Sequence, residues 1–225
     1  MTVEAGTLIA IALGAFSTLA VVFVTVYLQF IKPYRRQPRF KIEFDMGKPC
    51  CRKTAVDVKL DNERTYTTQA YWLRIRVWNF GKSVAKRCIG KLVAVMDKDG
   101  NLIDQYDPVT LKWVGTDENA VPLWPIDLNP EEYEYLDVLS TRYDVKSHAY
   151  IMTDRMRRGI PKSLPPGSYI LHITIYGDGV SPESKYFSVH WLGQSFTFIL
   201  MAMHDTLEQA KAYVREPIDQ AKIPT

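Results

Sequence analysis

The chain has 225 residues, 47% hydrophobic and 24% charged, with 28 Lys and Arg against 25 Asp and Glu. After Ile31 lie 28 bases and 24 acids, net +4, and five of those bases (Lys32, Arg35, Arg36, Arg39 and Lys41) precede any acid, so the rest of the domain stands at about −1. A nucleic-acid binder carries its basic face across the folded domain, so this distribution argues against nucleic acid and for a lipid surface beside one short segment.

Residues 5–31 contain no charged side chain. As a helix they would run about 40 Å, more than the roughly 30 Å of a hydrocarbon core. The expectation is a transmembrane helix over residues 5–32 behind a short tail, residues 1–4. The tail has no Lys or Arg and the apolar run passes straight into Lys32, unlike a signal peptide. Basic residues flanking a span stay on the cytoplasmic side, which predicts a single-pass protein of the cell membrane, N-terminus outside and C-terminal domain cytoplasmic. Lys32, Tyr34, Arg35, Arg36, Arg39 and Lys41 form the expected membrane-surface set, with Tyr27 and Tyr34 bracketing the boundary and Pro33 ending the helix. Gly6, Ala10, Gly14 and Thr18 recur every four residues, a small-residue stripe on which a second helix would pack closely.

Residues 33–48 read as a basic juxtamembrane linker leading into a first strand over 40–45, where Phe40, Ile42 and Phe44 alternate with Lys41 and Glu43. Residues 49–200 read as the β-sandwich domain. Within it residues 50–69 are polar and irregular, with one strand over 55–60. From residue 70 the pattern alternates: Tyr71, Leu73, Ile75 and Val77 toward a core, Trp72, Arg74, Arg76 and Trp78 away from it. Residues 79–83 make a turn, 87–96 a second strand placing Cys88, Gly90, Leu92 and Ala94 on one face, and 97–101 a hairpin turn with an Asp-Gly pair. Further strands are expected over 132–139, 168–176 and 186–191, joined by long irregular connections over 107–129 and 144–162. Residues 201–225 read as a C-terminal helix and tail, with Leu207, Ala210, Lys211 and Val214 at helical spacing and Pro217 closing it.

Three stretches, YWLRIRVWNFGKSVAKRCIGKLV, PIDLNPEEYEYLDVL and LPPGSYILHITIYG, resemble prokaryotic single-span membrane proteins with an immunoglobulin-like β-sandwich domain. The shared pattern spans residues 70–191: a strand, Asn79-x-Gly81-x-Ser83, a second strand, then Pro166-Gly167-x-Tyr169 before a late strand. The resemblance implies one N-terminal transmembrane α-helix, an all-β immunoglobulin-like sandwich with a short C-terminal helix, and a binding or structural role without catalytic residues.

The residues themselves carry no enzyme signature: no phosphate-binding glycine loop and no nucleophile elbow. Asp97, Asp99 and Asn101 imitate the start of a calcium loop, but Leu102 and Pro108 stand where Gly and Glu are required. Glu131, Glu132 and Glu134 read as a solvated strand entry. Three cysteines form no even disulfide framework, and Lys48, Arg52 and Lys53 beside Cys50 and Cys51 would favour thiolate. No cofactor is expected. His172 and His190 are weak metal candidates, because pairing Ile173 with Val189 would set the two imidazoles side by side on an exposed face. Trp72, Arg74, Arg76 and Trp78 are the interaction-surface candidates, since Trp and Arg dominate binding hot spots; the arginine stems, the C-terminal helix or a partner would cover the tryptophans. The expected role is a membrane-anchored, non-enzymatic interaction module, an accessory subunit of a larger complex or a homo-oligomer. The alternative is a membrane-tethered sensor or enzyme that binds a small ligand or metal.

Overall fold

A computed structural model of the chain describes residues 2–32, 36–59, 65–103, 107–114, 125–153, 163–193 and 199–216. Helix α1 (Thr2–Val26) runs into a π-helical turn (Tyr27–Ile31). Of this segment, Gly14–Ile31 is long and apolar enough to cross a membrane and none of it is buried against the rest of the protein. Its hydroxyls are satisfied inside the helix: Ser17 and Thr18 both donate to the Gly14 carbonyl at 2.9 Å, and Thr25 to Val21 at 2.8 Å. The expected helix stop at Pro33, and Tyr34 and Arg35 of the surface set, lie outside the described residues.

The rest is mostly β structure in two sheets. The first holds β1 (Phe40–Glu43), β2 (Cys51–Lys59), β3 (Thr65–Asn79), β6 (Lys112–Trp113), β8 (Tyr133–Arg142), β9 (Val145–Ile151) and β10 (Ser163–Leu164). The second holds β4 (Ala85–Met96), β5 (Val109–Thr110), β7 (Ile126–Leu128), β11 (Gly167–Asp178), β12 (Glu183–Trp191) and β13 (Ile199–His204). All pairings are antiparallel. One core joins the sheets: Leu73, Ile75 and Val77 from the first meet Leu92, Leu171, Ile173, Phe187 and Val189 from the second. Each such side chain contributes about 1.5–3 kcal/mol by leaving water. The sheets approach so closely that a Cβ on Gly90 would sit 2.2 Å from Leu136 Cδ2.

Several boundaries differ from expectation for physical reasons. The polar stretch 50–69 holds β2 and the start of β3, a long hairpin whose exposed face (Lys53, Ala55, Asp57, Thr67, Gln69) is polar or small and whose other face, half-buried at Val56, Val58 and Tyr66, also carries Thr54 and the buried Thr68, so apolar alternation is weak. The connection 107–129 carries β5 and β6, which pair with different sheets, the chain crossing between them at the fully buried Leu111. The connection 144–162 contains β9, hairpinned to β8. Ala94 does not share the face of Cys88, Gly90 and Leu92. A register shift at Val93 turns it outward and puts Val95 in the core instead.

Residues 201–204 are strand, not helix: β13 extends through His204 and only then does α2 (Leu207–Arg215) begin, capped reciprocally by Thr206 and Gln209. Its apolar run escapes period-2 reading because neighbours cover both faces, the core on one side and α2 nearby on the other. Helix α2 lays Ala210 and Val214 on Met96 and Ile170, on the outer face of the second sheet.

Candidate interaction face

The four candidates on β3 share the outer face of the first sheet, each half-buried between buried core residues. Each ring is matched to a cation. The Arg74 guanidinium lies 5.5 Å from the Trp72 ring centroid, Lys41 Nζ 5.9 Å from Trp78, and the Arg76 guanidinium 5.2 Å from Tyr133. Such contacts contribute about 0.5–1 kcal/mol each at exposed sites. Trp72 Nε1 donates to Thr54 Oγ1 at 2.8 Å, whereas the buried Nε1 of Trp78 finds no acceptor among the described residues.

The arginines are anchored in turn. Arg74 Nε pairs with Asp137 Oδ1 at 2.6 Å, with side chains only 13% and 7% exposed. Burial pushes the Asp137 carboxyl up, opposed by the charges of Arg74 and Lys112. Arg76 pairs with Glu43, which also meets Lys41 at 2.7 Å; the Lys41 bond leads in holding the Glu43 carboxyl below its usual range. Asp137 and Glu43 are the members that sequence reasoning missed. Asp137 faces Arg74 only because β8 carries an extra residue, Val138, between the pairs Leu73–Leu139 and Arg74–Asp137. Without that bulge Arg74 would face an apolar side chain. Glu43 was visible as the polar alternate of β1, and pairs with Arg76 in the observed register.

The cover is therefore arginine and lysine stems of the same sheet. The C-terminal helix, the other expected cover, packs on the opposite sheet. Of the membrane-surface set, Arg36 and Arg39 are exposed, Lys32 continues the helix, and Lys41 is committed to Glu43 and Trp78. Gly14 and Thr18 lie on the uncovered part of α1, and nothing approaches within 4 Å of a Cβ built on Gly14. Gly6 and Ala10 fall within α1.

The linker is held to the sandwich at Asn79, which is fully buried. Its Oδ1 accepts from Gly81 N at 3.1 Å and Arg39 N at 3.2 Å, and its Nδ2 donates to the carbonyls of Ser83 at 2.8 Å and Leu128 at 2.9 Å. A Cβ on Gly81 would strike Gln37 O at 2.5 Å and Arg39 N at 2.6 Å. The Asn-x-Gly-x-Ser turn is thus the clamp that fixes where the chain arriving from α1 enters the first sheet.

The other chemical candidates come apart. β11 and β12 pair Tyr169 with Val189 and Ile173 with Lys185, four residues from the expected register. His172 and His190 keep a common face but are not neighbours: His172 stacks on Tyr186 at 4.5 Å, while His190 meets Ser168 Oγ at 2.9 Å and lies buried under Tyr213 of α2. Among the described residues no three His, Cys, Asp or Glu side chains gather as metal ligands. All three cysteines are buried, and burial dominates, pushing Cys51 to about 11 against its hydrogen bond with Tyr71 and Cys88 to about 12; Lys48, Arg52 and Lys53 do not figure among the causes. An open depression of about 310 Å³ lies between Arg87, Ile89, Pro125, Tyr176, Gly177 and Asp178, and the exposed Arg87–Asp178 pair at 2.8 Å is part of its lining.

No protein family, curated protein or solved structure matches the chain.

Proposed function

We propose that this protein is a membrane-anchored, non-enzymatic interaction module: α1 spans the cell membrane, and an immunoglobulin-like sandwich of the kind carried by prokaryotic single-span proteins presents its first sheet to a protein partner on the cytoplasmic side. The observation that carries the reading is the uncovered α1. Phe16, Leu19, Phe23 and Phe30 are 67–77% exposed, a display of apolar surface that water does not tolerate and lipid does. The juxtamembrane bases support the orientation. The aromatic–arginine face supports docking, since Trp and Arg fixed by ion pairs meet a partner with little further ordering. An accessory role in a larger membrane complex follows from an anchor joined to a binding face.

The test is topological. A reporter active only outside the cytoplasm, fused after Thr225, stays silent, while its cytoplasm-active counterpart is active and fractionates with membranes. The opposite pattern reverses the orientation, and a soluble active fusion removes the anchor.

A further inference from the structure

Most sheet edges here are short or covered. β5, β6 and β10 are two residues each, and β13, six residues long and buried over Ile199–Met201, has its Met201 amide engaged by Met46 Sδ at 3.3 Å. β2 differs: nine residues long, it pairs with β3 on one side, and among the described residues no strand pairs with the other. An open edge of this length is a template for a further strand.

The hydrogen-bond phase says which groups face outward. Arg74 N donates to Cys50 O at 2.8 Å, and Cys51 stands opposite Leu73, so the even residues of β2 bond to β3. In an antiparallel ladder the alternate residues turn N–H and C=O the other way. Cys51 N accordingly bonds to Gly47 O at 2.9 Å, off the ladder. Lys53, Ala55 and Asp57 thus direct their backbone groups outward, and all three are exposed.

We propose that a second copy of this chain occupies that edge, β2 pairing antiparallel with β2 about a two-fold axis at Ala55. Outward-facing residues must oppose one another, which leaves registers differing by two-residue steps. Centring on Ala55 sets Lys53 opposite Asp57 of the other copy, and Asp57 opposite its Lys53. Moving the centre to Lys53 or Asp57 opposes like charges, and centring on Val56 sets Lys53 against Lys59. The charges are self-complementary in the Ala55 register, and the small side chain lies at the axis, where two copies of one residue meet. Such an isologous contact closes at two copies. Asp57 is preset for it, its Oδ1 held by Thr67 Oγ1 at 2.7 Å. The inference deepens the interaction-module reading by naming one partner, and uses an edge separate from the tryptophan face.

The test is the mass of the full chain in mild detergent, by light scattering or sedimentation across a dilution series. Wild type is expected as a dimer. Lys53→Glu and Asp57→Lys each set like charges opposite one another and should raise the dissociation constant roughly tenfold or more, and the double exchange K53E/D57K should restore it. Ala55→Pro should abolish the dimer with the circular dichroism unchanged, because the proline replaces an N–H that bonds nothing in the protomer; if that variant misfolds, the charge-exchange series decides alone. A monomeric wild type, or a dimer indifferent to single charge reversals, overturns the proposal. So does a dimer lost with Gly14→Leu and kept in K53E, which would place the contact in α1. Topology and tryptophan variants leave this readout unmoved, so its failure is distinct from failure of the anchor or the docking face.

Discussion

Asn79 shows how much one polar side chain decides. Its amide is fully buried and makes four hydrogen bonds, two of them to Arg39 N and Leu128 O, far along the chain. Asn79→Ala strands those groups without water, at about 1–3 kcal/mol for each left unpaired, and should lower unfolding free energy by on the order of 3 kcal/mol in denaturant titration. Arg74 presents the charged version: Arg74→Ala leaves the Asp137 carboxylate buried without its ion-pair partner and opposed only by the charge of Lys112, costing about 3–5 kcal/mol, whereas replacing both by apolar residues of similar size should cost much less. The cysteines make a third case. Burial raises all three thiols, so the native protein should resist alkylation at pH 8 and take up three equivalents only on unfolding; fast labelling of native protein at Cys50 or Cys51 would contradict that. At this scale the sequence revealed residue types and turns but not partners. The Asn79-Gly81 turn was legible, its grip on Arg39 and Leu128 was not, because hydrogen bonds across 40 and 49 residues leave no local pattern.

Elements were legible where one face is wet. β3 alternates cleanly because its outer face carries Trp and Arg and its inner face the core. Parity does not fix register, however. Any even slip keeps the same residues inside, and β11 and β12 chose a slip of four that parted the two histidines. Bulges at Val93 and Val138 were likewise invisible, and β13 lacks a wet face. The consequence lies under α2, where His190 meets Ser168 and the Tyr213 ring, and His204 Nε2 lies 2.8 Å from Ser188 Oγ. Burial lowers His172, His190 and His204 below 6.5. The unfolded chain then takes up protons at a higher pH than the folded one, so stability is full above pH 6.5 and falls as pH drops from there toward the folded values. Melting temperature should fall between pH 7.5 and 5.5, less steeply in His190→Gln; an unchanged slope would remove His190 from the account.

At the scale of the whole molecule, charge and apolarity are segregated: a helix with no charge beyond Glu4, a basic juncture, and a sandwich near neutrality whose two outer faces have different fates. The second sheet's outer face is closed by α2. The first sheet's is covered, among the described residues, by side chains lying along it, held by Glu43 and Asp137. Those side chains cover the tryptophans in the free protein while leaving them half-buried, so the indoles serve both stability and recognition. Trp72→Ala with Trp78→Ala separates the two. The rings lie six residues apart on one strand, roughly 20 Å, so their effects should add. At about 2 kcal/mol for each half-buried ring, near half the cost of a fully buried one, the double variant should remain folded with its melting point down by roughly 10 °C. Membrane retention and the oligomeric state should not change, because α1 and the outward backbone groups of β2 are untouched and only the Trp72–Thr54 hydrogen bond is lost from β2. What should vanish is the set of proteins that co-purifies with the wild type from native membranes. If the folded double variant recovers the same companions, the first sheet's outer face is not where they bind; if it cannot fold at all, the rings belong to the core in all but exposure.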